Sequence, residues 1–216
     1  MKKFLLLGVL FNALSWQLII PVWQYPDEQA HFAQVQNVAE SQKKDRLGND
    51  TSLEIVKSEM LLDTKRDSFG NNKFTYHPEF KIKYSSNLLG PYEQEINNSP
   101  ISHRKILIQK EATQNPPLYY LLTSVLYKSL YNESLLSRIY IVRSFSIVLT
   151  ILTIFICYKI GKIIFSNSFQ SILLSLIVSF QPMFIFSQTG ILPDPLTNLL
   201  FSIILFCCLK IITNKE

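Results

Sequence analysis

The densest polar cluster in the chain is Pro26-Asp27-Glu28-Gln29-Ala30-His31, which follows directly on an apolar run covering residues 4–22. A carboxylate at the edge of a low-dielectric layer can act as a base on an acceptor hydroxyl or as a ligand for a divalent cation. The same acidic pair also has a structural use. At a helix N-terminus, carboxylates stabilise the exposed N–H groups by about 0.3–1 kcal/mol. Asp27 and His31 are four apart and share a helical face, so a metal pair is geometrically allowed. Asp-Glu-x-x-His is not the His-Glu-x-x-His of zinc proteases, however, and no metal ligand is assigned.

Asp194 is the second acid placed for chemistry. It lies in Gly190-Ile-Leu-Pro-Asp-Pro195 between two apolar runs, where a charged side chain is costly and functional by default. As a structural alternative, Asp194 is an N-cap with Pro195 at the first helical position. A third cluster, Gln114-Asn115-Pro116-Pro117-Leu118-Tyr119-Tyr120, uses its prolines to pre-set a helix start, with Pro117 and Tyr120 as candidate substrate contacts. Arg138 and Arg143, near one end of the next apolar run, suit a phosphate contact or snorkelling to lipid headgroups.

Composition says what must hold these residues. Of the 216 residues, 48% are hydrophobic and 17% charged, and the mean hydropathy is +0.17. From Trp23 to Arg138 there are 14 acidic and 14 basic residues, so the net charge of +5 falls entirely on the apolar remainder. A surplus at the ends of apolar runs is not a nucleic-acid surface, which needs Lys and Arg clustered on one polar face. Abundant Leu, Ile, Val and Phe exclude disorder. Cys157, Cys207 and Cys208 all sit in apolar runs, so no disulfide framework is available.

Four runs, 4–22, 139–158, 169–188 and 196–212, approach the roughly 17–25 residues that span a hydrocarbon core. No small-x-small cleavage site follows the first, which therefore reads as an uncleaved helix. A fifth run, 118–131, places Leu118, Leu121, Leu122, Val125 and Leu126 on one stripe, the pattern of an amphipathic helix lying in the interface. If it lies flat, Lys2, Lys3, Lys159, Lys162, Lys210 and Lys215 all fall on the cytoplasmic side, as the positive-inside tendency expects. The expectation is thus an all-α, multi-pass plasma-membrane protein with about four spans and both termini cytoplasmic. Residues 1–22 form the first span, 23–138 an external loop and 139–216 spans two to four.

Within the loop, Ala30, Phe32, Val35 and Val38 predict a short helix over 27–41, so a helix able to lie along the membrane stands at each end, at 27–41 and 117–131. The middle, 41–98, is rich in Lys, Asn, Asp and Ser and predicts no core of its own. Tyr76-His77-Pro78 and Leu89-Gly90-Pro91-Tyr92 read as turns.

In that order, these features resemble the N-terminal part of GT-C membrane glycosyltransferases: a first helix, an acidic pair, a Pro-Pro-Leu-Tyr-Tyr helix, an Arg near the second span and a Pro-Asp turn after the third. They are most similar to uncharacterised bacterial membrane proteins with Pro-Asp-Glu-x-x-His after the first helix, here Pro26 to His31. The resemblance implies transfer of a sugar from a polyprenyl-phosphate donor to a glycan, lipid or protein acceptor on the outer face of the membrane. By analogy Asp27 would be the base, Glu28 its neighbour and Asp194 the acid of the second external loop. Such enzymes usually have eight or more membrane helices, so the expectation is a truncated portion of a transferase or, alternatively, a non-catalytic remnant or assembly subunit. The aminoarabinose-transferase type carries a Lys where this chain has Asn115, and Lys110 is too far upstream to replace it.

Overall fold

The computed structural model describes residues 2–40, 50–62, 64, 94–109 and 115–213. In chain order the elements are α1 (Lys2–Ile19), α2 (Glu28–Glu40), β1 (Asp50–Ser52), α3 (Leu53–Leu61), α4 (Ser102–Lys105), β2 (Leu107–Gln109), α5 (Leu118–Ser129), α6 (Leu135–Phe165), α7 (Ser168–Ser179), α8 (Pro182–Thr189) and α9 (Asp194–Thr213). They divide into a terminal unit, Met1–Pro21 with Arg143–Glu216, and an insert unit, Val22–Val142. The turns expected at 76–78 and 89–92, and Lys110, lie outside the described residues.

In the terminal unit α1 runs antiparallel to α6. Leu5 and Val9 share a buried cluster with Ile154 and Tyr158, and Ala13 shares the next with Ile147 and Ile185. One turn further, the Gln17 amide donates to Ser144 Oγ at 3.5 Å. Lipid gives helices no hydrophobic reason to associate, so small residues and polar bonds hold such packing together. Ser171, Ser175 and Ser179 form a fully buried stripe on α7. Asn12 donates to the Ser179 carbonyl at 3.0 Å and Thr150 Oγ1 to the Gln188 carbonyl at 3.0 Å.

Among the described residues, two helices, α6 and α9, are long and apolar enough to cross a membrane. The third expected span is not one straight helix: α7 and α8 meet at a bend of 67°. Pro182 is the cause, because it has no N–H and keeps the preceding residue out of helical conformation. The Gln181 side chain then caps α8 by accepting the Phe184 N–H. The second run is longer than expected. At 31 residues, α6 extends roughly 46 Å and encloses both Arg138 and Arg143.

The insert unit has a core that the sequence pattern did not predict. Trp23, Tyr25, Phe32, Val35, Ile55, Tyr119, Tyr120 and Tyr127 are buried there. Helix α2 packs along α5 and against β1. Residues 50–62 belong to this core, with Thr51 opposite Ile108 in a two-stranded antiparallel ribbon of three residues a strand, within an otherwise helical fold. Ser52 caps α3 by accepting the Ile55 N–H at 3.4 Å. Helix α2 is enclosed on nearly every side, from Glu28 and Gln29 through Val38, so it is a central helix with no free apolar face for a membrane. Helix α5 does the opposite. Its apolar stripe of Leu118, Leu121, Leu122 and Val125 is exposed, while Tyr119, Tyr120, Thr123, Ser124 and Tyr127 point inward.

A buried ionic network joins these helices. Arg138 forms an ion pair with Glu54, donates to Tyr127 Oη at 2.6 Å and to the Glu133 carbonyl at 3.3 Å. Gln36 bonds Glu54 at 3.1 Å and Tyr127 at 3.0 Å. Tyr127 in turn donates to Glu40. Arg104 approaches Glu54 at 3.5 Å and bonds the Tyr131 and Glu133 carbonyls. The buried Glu54 carboxylate faces both buried guanidiniums, with half-buried Glu40 at the edge of the network, and this pairing makes their burial tolerable.

Two pairs of outcomes test this packing. A Cβ at Gly161 would stand 2.9 Å from Ser171 Cα, whereas one at Gly8 meets nothing within 4 Å. Gly161→Ala is therefore expected to destabilise by about 1–3 kcal/mol and Gly8→Ala to stabilise by up to about 1 kcal/mol, measured by denaturant titration in micelles. Glu54→Gln leaves the Arg138 charge buried without its partner and is expected to cost about 3–5 kcal/mol in unfolding followed by Trp23 fluorescence. Burial, reinforced by Glu40 and opposed by Arg138, pushes the Tyr127 phenol well above its ordinary value of 10.0. The unfolded phenol ionises first, so this contribution is complete below about pH 10 and is lost as pH rises further. Tyr127→Phe is expected to flatten that alkaline limb.

Candidate functional site

The chain leaves α1 through a tight turn and re-enters helix at Glu28. Trp23 and Asp27 both adopt left-handed backbone conformations, with φ of 66° and 53°. For Asp this region is tolerated; for a bulky Trp it needs enforcement by surrounding contacts. Glu28 supplies one, because its buried carboxylate accepts the Trp23 N–H at 2.9 Å. Ser58 supplies another by accepting the Trp23 indole N–H at 2.9 Å. Glu28 is wholly buried, whereas Asp27 is exposed. The acidic pair is thus divided between a carboxylate that pins the turn and one that faces outward.

Asp27 occupies the start of α2, where its carbonyl accepts the His31 N–H at 3.0 Å. Beneath it His31 is buried, with Nδ1 2.8 Å from Tyr120 Oη and its ring stacked on Tyr120 at 6.1 Å between centroids. Tyr119 packs edge-on against Tyr120 at 5.6 Å. Pro117 is exposed at the N-cap of α5, its carbonyl accepting the Leu121 N–H at 3.0 Å. His31 and Tyr120 are therefore brought together from opposite ends of the insert, 89 residues apart. Among the described residues, no group of three His, Cys, Asp or Glu side chains is gathered as a metal site.

The two arginines are placed otherwise than a lipid or phosphate contact requires. Both are fully buried. Arg138 belongs to the Glu54 network. Arg143 donates to the carbonyls of Gln17, Ile20 and Pro21 at 3.3, 3.0 and 3.0 Å. The Gln17 carbonyl is one that α1 leaves without an intrahelical donor, the other two belong to the chain just beyond the helix, and a cation there also meets the negative end of the α1 dipole. Snorkelling is excluded for either side chain by this burial.

In the terminal unit, Asp194 is exposed. It is one position further into the helix than an N-cap, because the Pro193 carbonyl accepts the first bond, from Thr197 N at 3.1 Å. Glu54, Gln36, Tyr127 and Arg104 were not singled out from the sequence. Their only local signals are a lone acid between Leu53 and Ile55 and, for Tyr127, a place on the same inward face of α5 as Tyr120. A cavity of about 310 Å³ opens beside α3, lined by Glu54, Lys57, Glu95, Asn98, Ser99 and His103 among others, and none of the residues singled out from the sequence borders it.

Comparison with known proteins gives one positive result. The model of a family described as predicted membrane protein (DUF2142) matches residues 10–216. No curated protein and no solved structure matches the chain. With apolar helices of membrane-crossing length in a match covering nearly every residue, the chain belongs to the DUF2142 family of predicted membrane proteins.

Proposed function

We propose that the protein is a GT-C-type membrane glycosyltransferase, or a portion of one, that moves a sugar from a polyprenyl-phosphate donor to an acceptor at the outer face of the membrane. The observation that carries this reading is the division of the acidic pair. Asp27 is an exposed carboxylate on a turn held by Glu28, Trp23 and Ser58. A base fixed in this way loses little freedom when an acceptor hydroxyl arrives. Asp27 takes the hydroxyl proton as that oxygen attacks the anomeric carbon. The bond from this carbon to the donor oxygen breaks, and its electron pair leaves with the polyprenyl phosphate. Glu28, His31 and Tyr120 act as positioning residues, and Asp194 is a second acid exposed to the outer side.

In this reading α1, α6, the bent α7–α8 pair and α9 are four spans, and both termini are cytoplasmic. The exposed stripe of α5 lies in the interface, where a lipid-linked donor presents its phosphate. One observation favours the alternative of a non-catalytic assembly subunit. Only 11% of the apolar window of α9 is buried, as in a helix that packs on further partners.

Asp27→Asn in the full-length protein, reconstituted with a polyprenyl-phosphate sugar donor, is expected to lose about 100-fold or more of the transfer rate with unchanged circular dichroism. Transfer at the unsubstituted rate in this variant would remove Asp27 from the reaction and favour the subunit reading.

A further inference from the structure

Three helix ends of the terminal unit converge at one place. Leu5 of α1 shares a buried cluster with Tyr158 of α6, so the beginning of α1 and the last turns of α6 lie together. Lys159 of α6 and Lys210 of α9 then both stand against one aromatic ring. The Lys159 Nζ stands 5.8 Å from the Phe206 centroid and 4.8 Å from that of Phe155. The Lys210 Nζ stands 5.6 Å from the same Phe206 ring. Nearby, Lys162 donates to the Ser166 carbonyl and to Ser168 Oγ at 3.2 and 3.3 Å.

No acid balances this end among the described residues. The one described acid of the terminal unit is Asp194, sixteen positions before Lys210 and so roughly 24 Å away along α9. Lys159 and Lys210 are both exposed. Each ammonium is attracted to the ring face, yet the two repel one another across it. The carbonyl ends of α6 and α9 offset part of that repulsion without removing it. An anion between the two lysines would.

We propose that this end of the terminal unit is a binding site for the phosphodiester of an anionic phospholipid, seated between Lys159 and Lys210 with its acyl chain against Phe155 and Phe206. Lipid is the occupant that fits a membrane protein here, because the apolar rings directly beneath the lysines have no use for a free inorganic anion. The proposal is independent of sugar transfer and stands on different residues from it.

The test uses the full-length protein in phosphatidylcholine vesicles doped with spin-labelled phosphatidylglycerol or spin-labelled phosphatidylcholine, reading the protein-associated fraction of each by electron paramagnetic resonance. The unsubstituted protein is expected to select phosphatidylglycerol. Each lysine near the surface contributes roughly fivefold, so Lys159→Gln with Lys210→Gln is expected to bring the preference close to unity. Lys159→Arg with Lys210→Arg keeps both charges and is expected to retain it, as is Lys105→Gln in the insert unit. Equal association of the two lipids with the unsubstituted protein, or an unchanged preference in the double Gln variant, overturns the proposal. So does loss of the preference in inorganic phosphate but not in chloride of equal ionic strength, which would identify a free-anion site.

Discussion

The insert unit depends on one buried ion pair, Glu54 with Arg138, formed between residues 84 apart in the chain. Two charges removed from water are expensive unless every remaining lone pair and N–H is met. Here Gln36, Tyr127 and the Glu133 carbonyl supply hydrogen bonds to the pair, and Arg104 adds a second positive charge beside Glu54. An apolar cluster of the same volume could stabilise as much, but it would tolerate sliding of one helix along another. Directional bonds do not, so α2, α3, α5 and the first turns of α6 are locked in a single register. The turn that carries Asp27 is built on α2, and its geometry is inherited from that register.

The same logic in a different solvent governs the terminal unit. Apolar side chains face outward along α1 and α9, and the small apolar clusters inside the unit are joined by a few polar contacts. Arg143 closes the carbonyl end of α1, Asn12 reaches the end of α7, and Gly161 allows the α7 backbone to approach α6. Serines and a glycine set the spacing, and hydrogen bonds add direction to the apolar packing. Helix α9 has little of either, which leaves its surface to lipid or to further helices.

Much of the architecture was legible because it follows from local rules. The period of Phe32, Val35 and Val38 and the double proline before Leu118 gave α2 and α5 nearly to the residue, and apolar length gave α6 and α9. Pro182 carried the break in the third run and was read through, since hydropathy averaged over a run is insensitive to one missing N–H. The core of the insert was invisible for a physical reason. It is built largely from Trp, Tyr, Gln, Glu and Arg, whose burial is decided by partners tens of residues away and not by local periodicity. For the same reason Arg138 and Arg143 read as lipid or phosphate contacts, and Glu28 read as a twin of Asp27. A charge beside an apolar run looks the same in sequence whether it faces headgroups or closes a helix from within.

The most direct measurement is the fate of the donor itself. The folded full-length protein, reconstituted with a panel of polyprenyl-phosphate sugars and candidate acceptors, can be followed by phosphorus NMR for conversion of the sugar phosphodiester to the free polyprenyl monoester. Protein-dependent and acceptor-dependent appearance of the monoester is what the account predicts. A donor that stays intact across the panel, with the protein shown to be folded, would contradict it.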